Sequence, residues 1–217
     1  MNKYIDHTLL KPEATITDIK KLCEEAERYQ FASVCISPAW VKYVKSFITK
    51  VPIVTVIGFP HGNITDDSKF NDIMSMAKDG ASEFDVVVNI GNVKSGLWKE
   101  VELEIKRISL VKKFRRGHKD LKIKYIVEVG FLNDEELFKT IDLLIKYKID
   151  FVKTCTGYGP RNVTTKDIIN IKKYVGNNIK IKASGGIKTT DFAKQLIEAG
   201  ADRIGCSASI SIINSKR

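Results

Sequence analysis

The sequence has few of the residues that bind metal ions or form disulfide bridges. It contains four cysteines and three histidines in 217 residues, and neither type is clustered. They are Cys23, Cys35, Cys155, Cys206, His7, His61 and His118. No two cysteines have the Cys-x-x-Cys spacing, which argues against a zinc site and against a disulfide framework. We therefore expect chemistry that uses no metal ion and no other cofactor.

Long apolar runs are also missing. The longest of them, such as Val51 to Phe59, are too short to span a bilayer. The first residues, Met1 to His7, become charged before any apolar stretch develops, so no signal peptide is expected. We therefore expect a soluble, cytoplasmic protein with no membrane partner.

Arginine is scarce although the chain is basic. The formal net charge is +10, but only seven of the 36 basic residues are arginine, and the lysines are spread along the chain. The densest basic stretch, residues 112–119, lacks interleaved aromatic residues and ends a predicted helix, where cations are favoured by the dipole. We therefore expect no nucleic-acid partner, whereas a positive field would attract a phosphorylated substrate.

The order of apolar runs predicts a (β/α)₈ TIM barrel with eight parallel strands. Short β-branched runs alternate with amphipathic stretches, as in βα units around a parallel sheet. The strand candidates are Ser33 to Ile36, Ile53 to Ile57, Phe84 to Val88, Ile123 to Val129, Phe151 to Cys155, Ile179 to Ala183 and Arg203 to Cys206. An N-terminal segment near Ile5 to Thr8 supplies a short first strand. One barrel domain would occupy residues 1–217. An open doubly wound sheet is the alternative, but its Gly-x-Gly-x-x-Gly loop is not found.

The helices between these strands have recognisable starts. A capping residue is followed three positions later by an acidic residue at Thr15 and Asp18, at Asn133 and Glu136, and at Thr164 and Asp167. Apolar residues then recur at helical spacing, for example Leu137, Ile141, Leu144 and Ile145. Trp40 and Trp98 also lie on predicted helices, and we expect both to be core residues.

Two lysines near the ends of two apolar strands carry the strongest chemical signal. Lys153 and Lys182 lie in consecutive predicted strands, although lysine is rarely buried without a partner. Two ammonium groups packed together raise each other's energy, which favours the neutral form of one amine. A neutral amine attacks carbonyl carbon, so the pair indicates an imine-forming enzyme.

A carboxylate is expected beside the two lysines. Strand alternation separates Asp85, Val87 and Asn89 from Val86 and Val88. The inward face of a barrel carries the active site at its C-terminal rim, so Asp85, Lys153 and Lys182 would converge in one pocket. A barrel-interior Asp that only satisfies neighbouring polar groups is the structural alternative.

Glycine-containing loops follow the last three strands and predict a phosphate site. Backbone N–H groups of such loops approach phosphate closely, and the loops after the final two strands are the usual phosphate position in this fold. The candidate residues are Gly157, Gly185, Gly186, Gly205 and Ser207. Any single Gly-Gly pair is more often only a turn.

An ordered set of motifs resembles the deoxyribose-phosphate aldolase family of class I aldolases. The matching stretches are Ile5 to Lys11, Ser33 to Pro38, Val56 to Gly62, Glu83 to Val87, Asp150 to Gly157 and Lys182 to Ile187. They run almost end to end along the chain. Together they are far more specific than any one of them.

The resemblance implies the roles of individual residues. Lys153 would form the Schiff base, Asp85 and Lys182 would donate and accept protons, and Asp6 would face the site. The residues alone leave open which lysine attacks, and for Asp6 the alternative is that it only caps a turn. The implied substrate is a small phosphorylated sugar, 2-deoxyribose 5-phosphate, and the implied assembly is a homodimer or a higher homo-oligomer.

The chain departs from the family pattern at three places. Cys155 stands where the family usually has serine, Ala208 replaces a residue that is often serine, and the chain ends at Arg217 without the tyrosine-bearing tail of some relatives. Cys35 and Cys155 are expected to be packed rather than reactive. Two other functions stay open: another phosphate-binding lyase or isomerase on the same barrel, and a basic nucleic-acid-binding protein on a catalytically silent barrel.

Overall fold

The computed structural model describes residues 1–48, 50–113 and 121–214, and they form a closed parallel barrel. The eight strands are β1 (Ile5–Leu9), β2 (Ser33–Ile36), β3 (Ile53–Ile57), β4 (Glu83–Val87), β5 (Lys122–Ile126), β6 (Phe151–Lys153), β7 (Lys180–Ser184) and β8 (Arg203–Cys206). Each strand pairs with the next, and β1 closes the barrel on β8 with Asp6 opposite Gly205. The predicted TIM barrel is confirmed.

Helices connect the strands and cover the outside of the barrel. They are α1 (Ile16–Tyr29), α2 (Val41–Val44), α3 (Asp66–Asp79), α4 (Ile90–Lys94), α5 (Trp98–Ser109), α6 (Asp134–Lys146), α7 (Thr165–Val175), α8 (Thr190–Glu198) and α9 (Ser209–Asn214). Short 3₁₀ helices occupy Asn2–Tyr4, Pro38–Trp40 and Leu110–Lys113. The three predicted N-caps are present as reciprocal capping boxes on α1, α6 and α7.

Strand alternation divides the interior into two layers. Outward-facing residues such as Phe84, Val86, Val152 and Ile181 join one hydrophobic core between the sheet and the helices. Inside the barrel the only buried hydrophobic cluster found in the described residues is small and contains Cys35, Val54 and Val56. The rest of the interior is therefore available for polar side chains.

Four strands have bounds that differ from the prediction. Strand β5 stops at Ile126 rather than Val129, because Glu128 adopts a left-handed backbone with φ of 53°. Strand β6 stops at Lys153 rather than Cys155, and Thr154 then bonds through its hydroxyl to the Ser184 carbonyl at 3.0 Å. Strands β4 and β7 are displaced by one residue from the predicted bounds.

The remaining expectations concern exposed or peripheral segments. Trp40 and Trp98 are only partly buried, although both pack against the core, and Trp40 lies on a 3₁₀ helix. In the basic stretch 112–119, residues 114–119, with His118, lie outside the described residues, as do residues 215–217. The helices in the described ranges are all too short or too polar to cross a bilayer.

Candidate active site

Four of the predicted site residues meet inside the barrel. Lys153 of β6 and Lys182 of β7 are opposite each other in the strand register. Both amines contact the same oxygen, Asp85 Oδ2, at 2.8 Å and 2.7 Å. Lys182 Nζ is also 2.5 Å from Oδ2 of Asp6 on β1. The two lysines point to the same side of the barrel wall and share one carboxylate.

Three further charged residues complete this group and were not predicted. Lys124 of β5 contacts Asp85 Oδ1 at 3.0 Å and Glu83 Oε2 at 2.8 Å. Arg203 of β8 contacts Asp6 at 2.9 Å and Glu83 at 3.0 Å. A signal for Lys124 existed, because it alternates with Ile123 and Tyr125 in a predicted strand. We call the seven residues the ion cluster: Asp6, Glu83, Asp85, Lys124, Lys153, Lys182 and Arg203.

The charges of the ion cluster single out Lys153. Three carboxylates balance three of the four cations. Lys124, Lys182 and Arg203 each contact two carboxylates within 3.0 Å, whereas the described contacts of Lys153 include one, Asp85. Lys153 is therefore the surplus cation of the ion cluster, with one carboxylate contact where each of the other three cations has two.

The other members are held in their charged forms. Burial alone would raise the pKa of Asp6, but Lys182, Lys124 and Arg203 outweigh it and lower the pKa to about 2. Burial opposes ionisation of Asp85 in the same way, yet three lysines hold its pKa well below the ordinary value. Burial alone would lower the pKa of Lys182, and attraction to Asp6 and Asp85 raises it instead. These groups are charged at neutral pH.

A cavity of about 230 Å³ opens above the ion cluster. Lys153 lines it and is 3% exposed, while Asp6, Asp85 and Lys182 are fully buried beneath. All five predicted phosphate residues line the same cavity: Gly157, Gly185, Gly186, Gly205 and Ser207. Thr156, Tyr158 and Lys188 also line it and were not predicted. The structure thus places the Lys153 amine and the glycine-containing loops in one pocket.

Gly205 has a further reason to lack a side chain. A Cβ atom at this position would lie 2.9 Å from Cε of Lys182 and 3.3 Å from Cβ of Ser184. Gly157 differs, because no atom is near its missing side chain and its φ of 90° alone favours glycine. Gly205 therefore makes room for a lysine of the ion cluster, in addition to lining the cavity.

Glu128 fixes the loop after Lys153 and was not among the predicted site residues. This buried residue accepts hydrogen bonds from the backbone N–H of Thr156, at 2.9 Å, and from the Thr156 hydroxyl. Its left-handed backbone is unusual for a residue with a side chain. A sequence pattern does not reveal such a conformation. The contact positions Thr156 and Gly157 at the cavity wall.

The cysteines are packed rather than reactive. Cys35 is fully buried, with Sγ 3.9 Å from Asp85 Oδ2, and burial raises its pKa. Burial also raises the pKa of the Cys155 thiol to about 12. Cys155 packs against the backbone of Gly185. A Cβ atom added at Gly185 would lie only 2.9 Å from the Cβ atom of Cys155. In the described residues, no three histidine, cysteine or carboxylate groups are arranged to hold a metal ion.

Comparisons with known proteins identify the family of the chain. A family model described as DeoC/LacD family aldolase matches residues 1–210. The chain is 46% identical over 213 residues to a deoxyribose-phosphate aldolase from Caldanaerobacter subterraneus subsp. tengcongensis, covering 97% of this chain and 91% of the relative.

Solved structures give the same relationship. The chain superposes on QR15, an aldolase, with a TM-score of 0.93 at 37% identity, covering 99% of this chain and 94% of that one. The tetrameric deoxyribose phosphate aldolase from Aeropyrum pernix superposes with a TM-score of 0.89 at 29% identity, covering 99% and 89%. The similarity extends over the whole barrel.

Proposed function

The chain belongs to the DeoC/LacD family of aldolases, and from this membership we propose that it is a 2-deoxyribose-5-phosphate aldolase. The reaction is the reversible cleavage of 2-deoxy-D-ribose 5-phosphate to acetaldehyde and D-glyceraldehyde 3-phosphate. Relatives that cover almost the whole chain have this activity in their names. The enzyme is a class I lyase, in which a lysine amine takes the place of a metal ion.

The observation that carries the residue assignments is the charge balance of the ion cluster. Lys153 is the surplus cation and the one lysine of the cluster that lines the cavity. We assign the Schiff base to Lys153 for these two reasons. A lysine of ordinary pKa, about 10.4, is neutral only about 0.04% of the time at pH 7, so release of its proton is the first requirement.

In the first step the Lys153 amine forms a bond to the C1 aldehyde carbon of the open-chain sugar. The carbonyl oxygen takes up two protons, one lost by the attacking amine and one supplied by an acid, and leaves as water, which produces a protonated imine. Asp85 Oδ2 is 2.8 Å from Lys153 Nζ and 2.7 Å from Lys182 Nζ. Asp85 and Lys182 are therefore the groups that we assign to proton transfer at this amine.

In the second step a base removes the proton of the C3 hydroxyl. The electrons of the C2–C3 bond move toward the protonated imine, so glyceraldehyde 3-phosphate leaves and an enamine stays on Lys153. Protonation of the enamine at C2 and hydrolysis by water then release acetaldehyde and restore the amine. Asp6 is assigned a supporting role, because its contact with Lys182 keeps that lysine charged.

The phosphate group is assigned to the glycine-rich wall of the cavity. Gly157, Gly185, Gly186, Gly205 and Ser207 lie around the same space as Lys153. Loops of this kind bind phosphate through backbone N–H groups. We further propose that the enzyme acts in cytoplasmic deoxyribose phosphate catabolism as a homodimer or higher homo-oligomer, without nucleic acid or membrane as a partner.

Reductive trapping tests the nucleophile directly. We expect incubation with acetaldehyde and borohydride to leave an ethyl group on Lys153, located by peptide mass mapping. Lys153→Ala should lower kcat by at least about 10⁴-fold, as loss of a covalent nucleophile does. Lys180→Ala is the matched control, because Lys180 is the exposed first residue of β7 and lies outside the ion cluster. An adduct on Lys182, or activity without Lys153, would refute the assignment.

A further inference from the structure

We propose that His7 is a positioning residue for the phosphate subsite, which it holds in place through Ser209. This inference rests on the proposed function, because it assigns the phosphate to the loop after β8. His7 Nδ1 is 2.9 Å from Ser209 Oγ, and His7 Nε2 is 2.8 Å from Glu25 Oε2. We call these three residues the His7 array. It joins β1, helix α1 and the first residue of helix α9.

The His7 array fixes both ends of the loop that contains Ser207. His7 pairs with Cys206 in the register of β1 and β8, which holds the start of the loop. Ser209 Oγ is 3.1 Å from the Cys206 carbonyl, so it spans the loop from the other end. Ser207 lies between these two anchors and lines the cavity. A shift of Ser209 would therefore displace a predicted phosphate ligand.

The hydrogen-bond roles within the array follow from its chemistry. Glu25 as a carboxylate only accepts, so His7 Nε2 carries a proton and donates it to Glu25. Burial lowers the pKa of His7, against the opposing effect of Glu25, which favours the neutral ring. The bare Nδ1 then accepts the single proton of the Ser209 hydroxyl, which is shared with the Cys206 carbonyl in a three-centre bond. The Phe31 ring, 5.1 Å from the His7 ring centre, packs beside this arrangement.

A carboxylate, a histidine and a serine in this order also occur in hydrolases that use a serine nucleophile. Burial excludes a nucleophilic role for Ser209 here. Ser209 is fully buried, and His7 is 4% exposed, so no substrate carbonyl reaches the hydroxyl. The contacts of Ser209 lie within the protein, on His7 and Cys206. The array is therefore suited to hold a loop in place.

Positioning makes a specific kinetic prediction, because the proposed function places the phosphate end of the substrate, and not its reacting carbons, against this loop. Ser209→Ala and His7→Leu should each raise KM for 2-deoxyribose 5-phosphate by about three- to tenfold, the range for one lost hydrogen bond, with kcat within about twofold. For unphosphorylated 2-deoxyribose, kcat/KM should stay within about twofold of wild type. His7→Asn should restore much of the lost affinity, because the Asn amide reaches the Nδ1 position.

Ser46→Ala is the control, since it removes an exposed hydroxyl that bonds to the Tyr43 carbonyl, away from the loop after β8. This control should change KM neither for 2-deoxyribose 5-phosphate nor for 2-deoxyribose. Equal losses on both sugars, or an unchanged KM in Ser209→Ala, would overturn the proposal.

Binding of inorganic phosphate, measured by calorimetry, separates this proposal from the proposed function. Phosphate should bind about three- to tenfold more weakly to Ser209→Ala than to wild type, whether or not the sugar is cleaved. Wild-type protein that cleaves neither sugar would refute the proposed function alone. Equal phosphate affinity in both proteins would refute the role of His7.

Discussion

At the residue scale, the structure suggests a different link between Lys182 and Lys153 from the one that the sequence suggested. The sequence suggested two lysines that repel each other. In the structure Lys182 contacts both Asp6 and Asp85, and it shares Asp85 Oδ2 with Lys153. Lys182 therefore weakens the hold of Asp85 on Lys153 by competing for one oxygen, in addition to any repulsion. Both effects act against the ion pair of Lys153 with Asp85.

Replacement of Lys182 should consequently reduce turnover through Lys153. In Lys182→Leu, Asp85 Oδ2 would contact Lys153 without competition from Lys182 and hold its amine more strongly, so we expect kcat at pH 7 to fall by about 10²-fold. Part of the activity should return as pH rises, which a pH–rate profile measures.

Lys180→Leu provides the control on the same strand, because Lys180 is exposed and outside the ion cluster. Removal of one partner from a buried ion pair costs about 3–5 kcal/mol, so folding of Lys182→Leu must be checked by circular dichroism. A profile with the wild-type shape in a folded Lys182→Leu protein would contradict the coupling.

At the element scale, the capped helices are the features that short sequence patterns predicted best. Each capping box uses two residues only three positions apart, so all its information is local. Asn133 accepts a hydrogen bond from the Glu136 N–H at 2.9 Å, and Glu136 accepts one from the Asn133 N–H at 2.9 Å. The strand ends were harder to predict, because they depend on the neighbouring strands and on backbone conformations such as that of Glu128.

Loss of the α6 cap should lower stability without affecting the chemistry. Asn133→Ala removes the acceptor for the Glu136 N–H, so we expect the free energy of unfolding to fall by about 1 kcal/mol. Urea unfolding measures this change, and kcat/KM should stay within about twofold because Asn133 does not line the cavity. Ser109→Ala, whose exposed hydroxyl bonds only locally to Lys106, should leave stability almost unchanged. Equal stability losses in both variants would argue against the cap.

At the scale of the whole molecule, the ion cluster ties together strands from both ends of the chain. Asp6 of β1 contacts Lys182 of β7 and Arg203 of β8, and Asp85 of β4 contacts lysines of β5, β6 and β7. These contacts are buried, so their charges matter for folding. The stability of the barrel should therefore depend on pH.

Acid should weaken the folded state through Asp6 and Asp85. Their pKa values are lowered on folding, that of Asp6 to about 2, so the folded state binds fewer protons than the unfolded state. The stabilisation is present above pH 4 and is lost as pH falls toward 2, at about 2 kcal/mol for Asp6.

Urea unfolding between pH 5 and pH 2 measures this loss. Glu24→Gln, a change to an exposed carboxylate of α1, should keep the wild-type dependence. A free energy of unfolding that does not change between pH 4 and pH 2 would contradict the expected role of the ion cluster.

Local patterns in the sequence determined the strands, the helix starts, the inward face of each strand and the family motifs. These features depend on residues a few positions apart, and the side-chain alternation of a strand follows directly from its geometry. They were sufficient for the barrel and for the convergence of Asp85, Lys153 and Lys182.

Only the tertiary structure decided how the charges pair. Two charged partners of Asp6, Lys182 and Arg203, lie about 180 to 200 positions along the chain, and they meet Asp6 because β1 closes on β8 in one particular register. The register of β4 with β5 places Lys124 beside Asp85, and the described contacts leave Lys153 with a single carboxylate. Closure of β1 on β8 also brings Ser209 to His7, a hydrogen bond that depends on strand pairing rather than on local sequence.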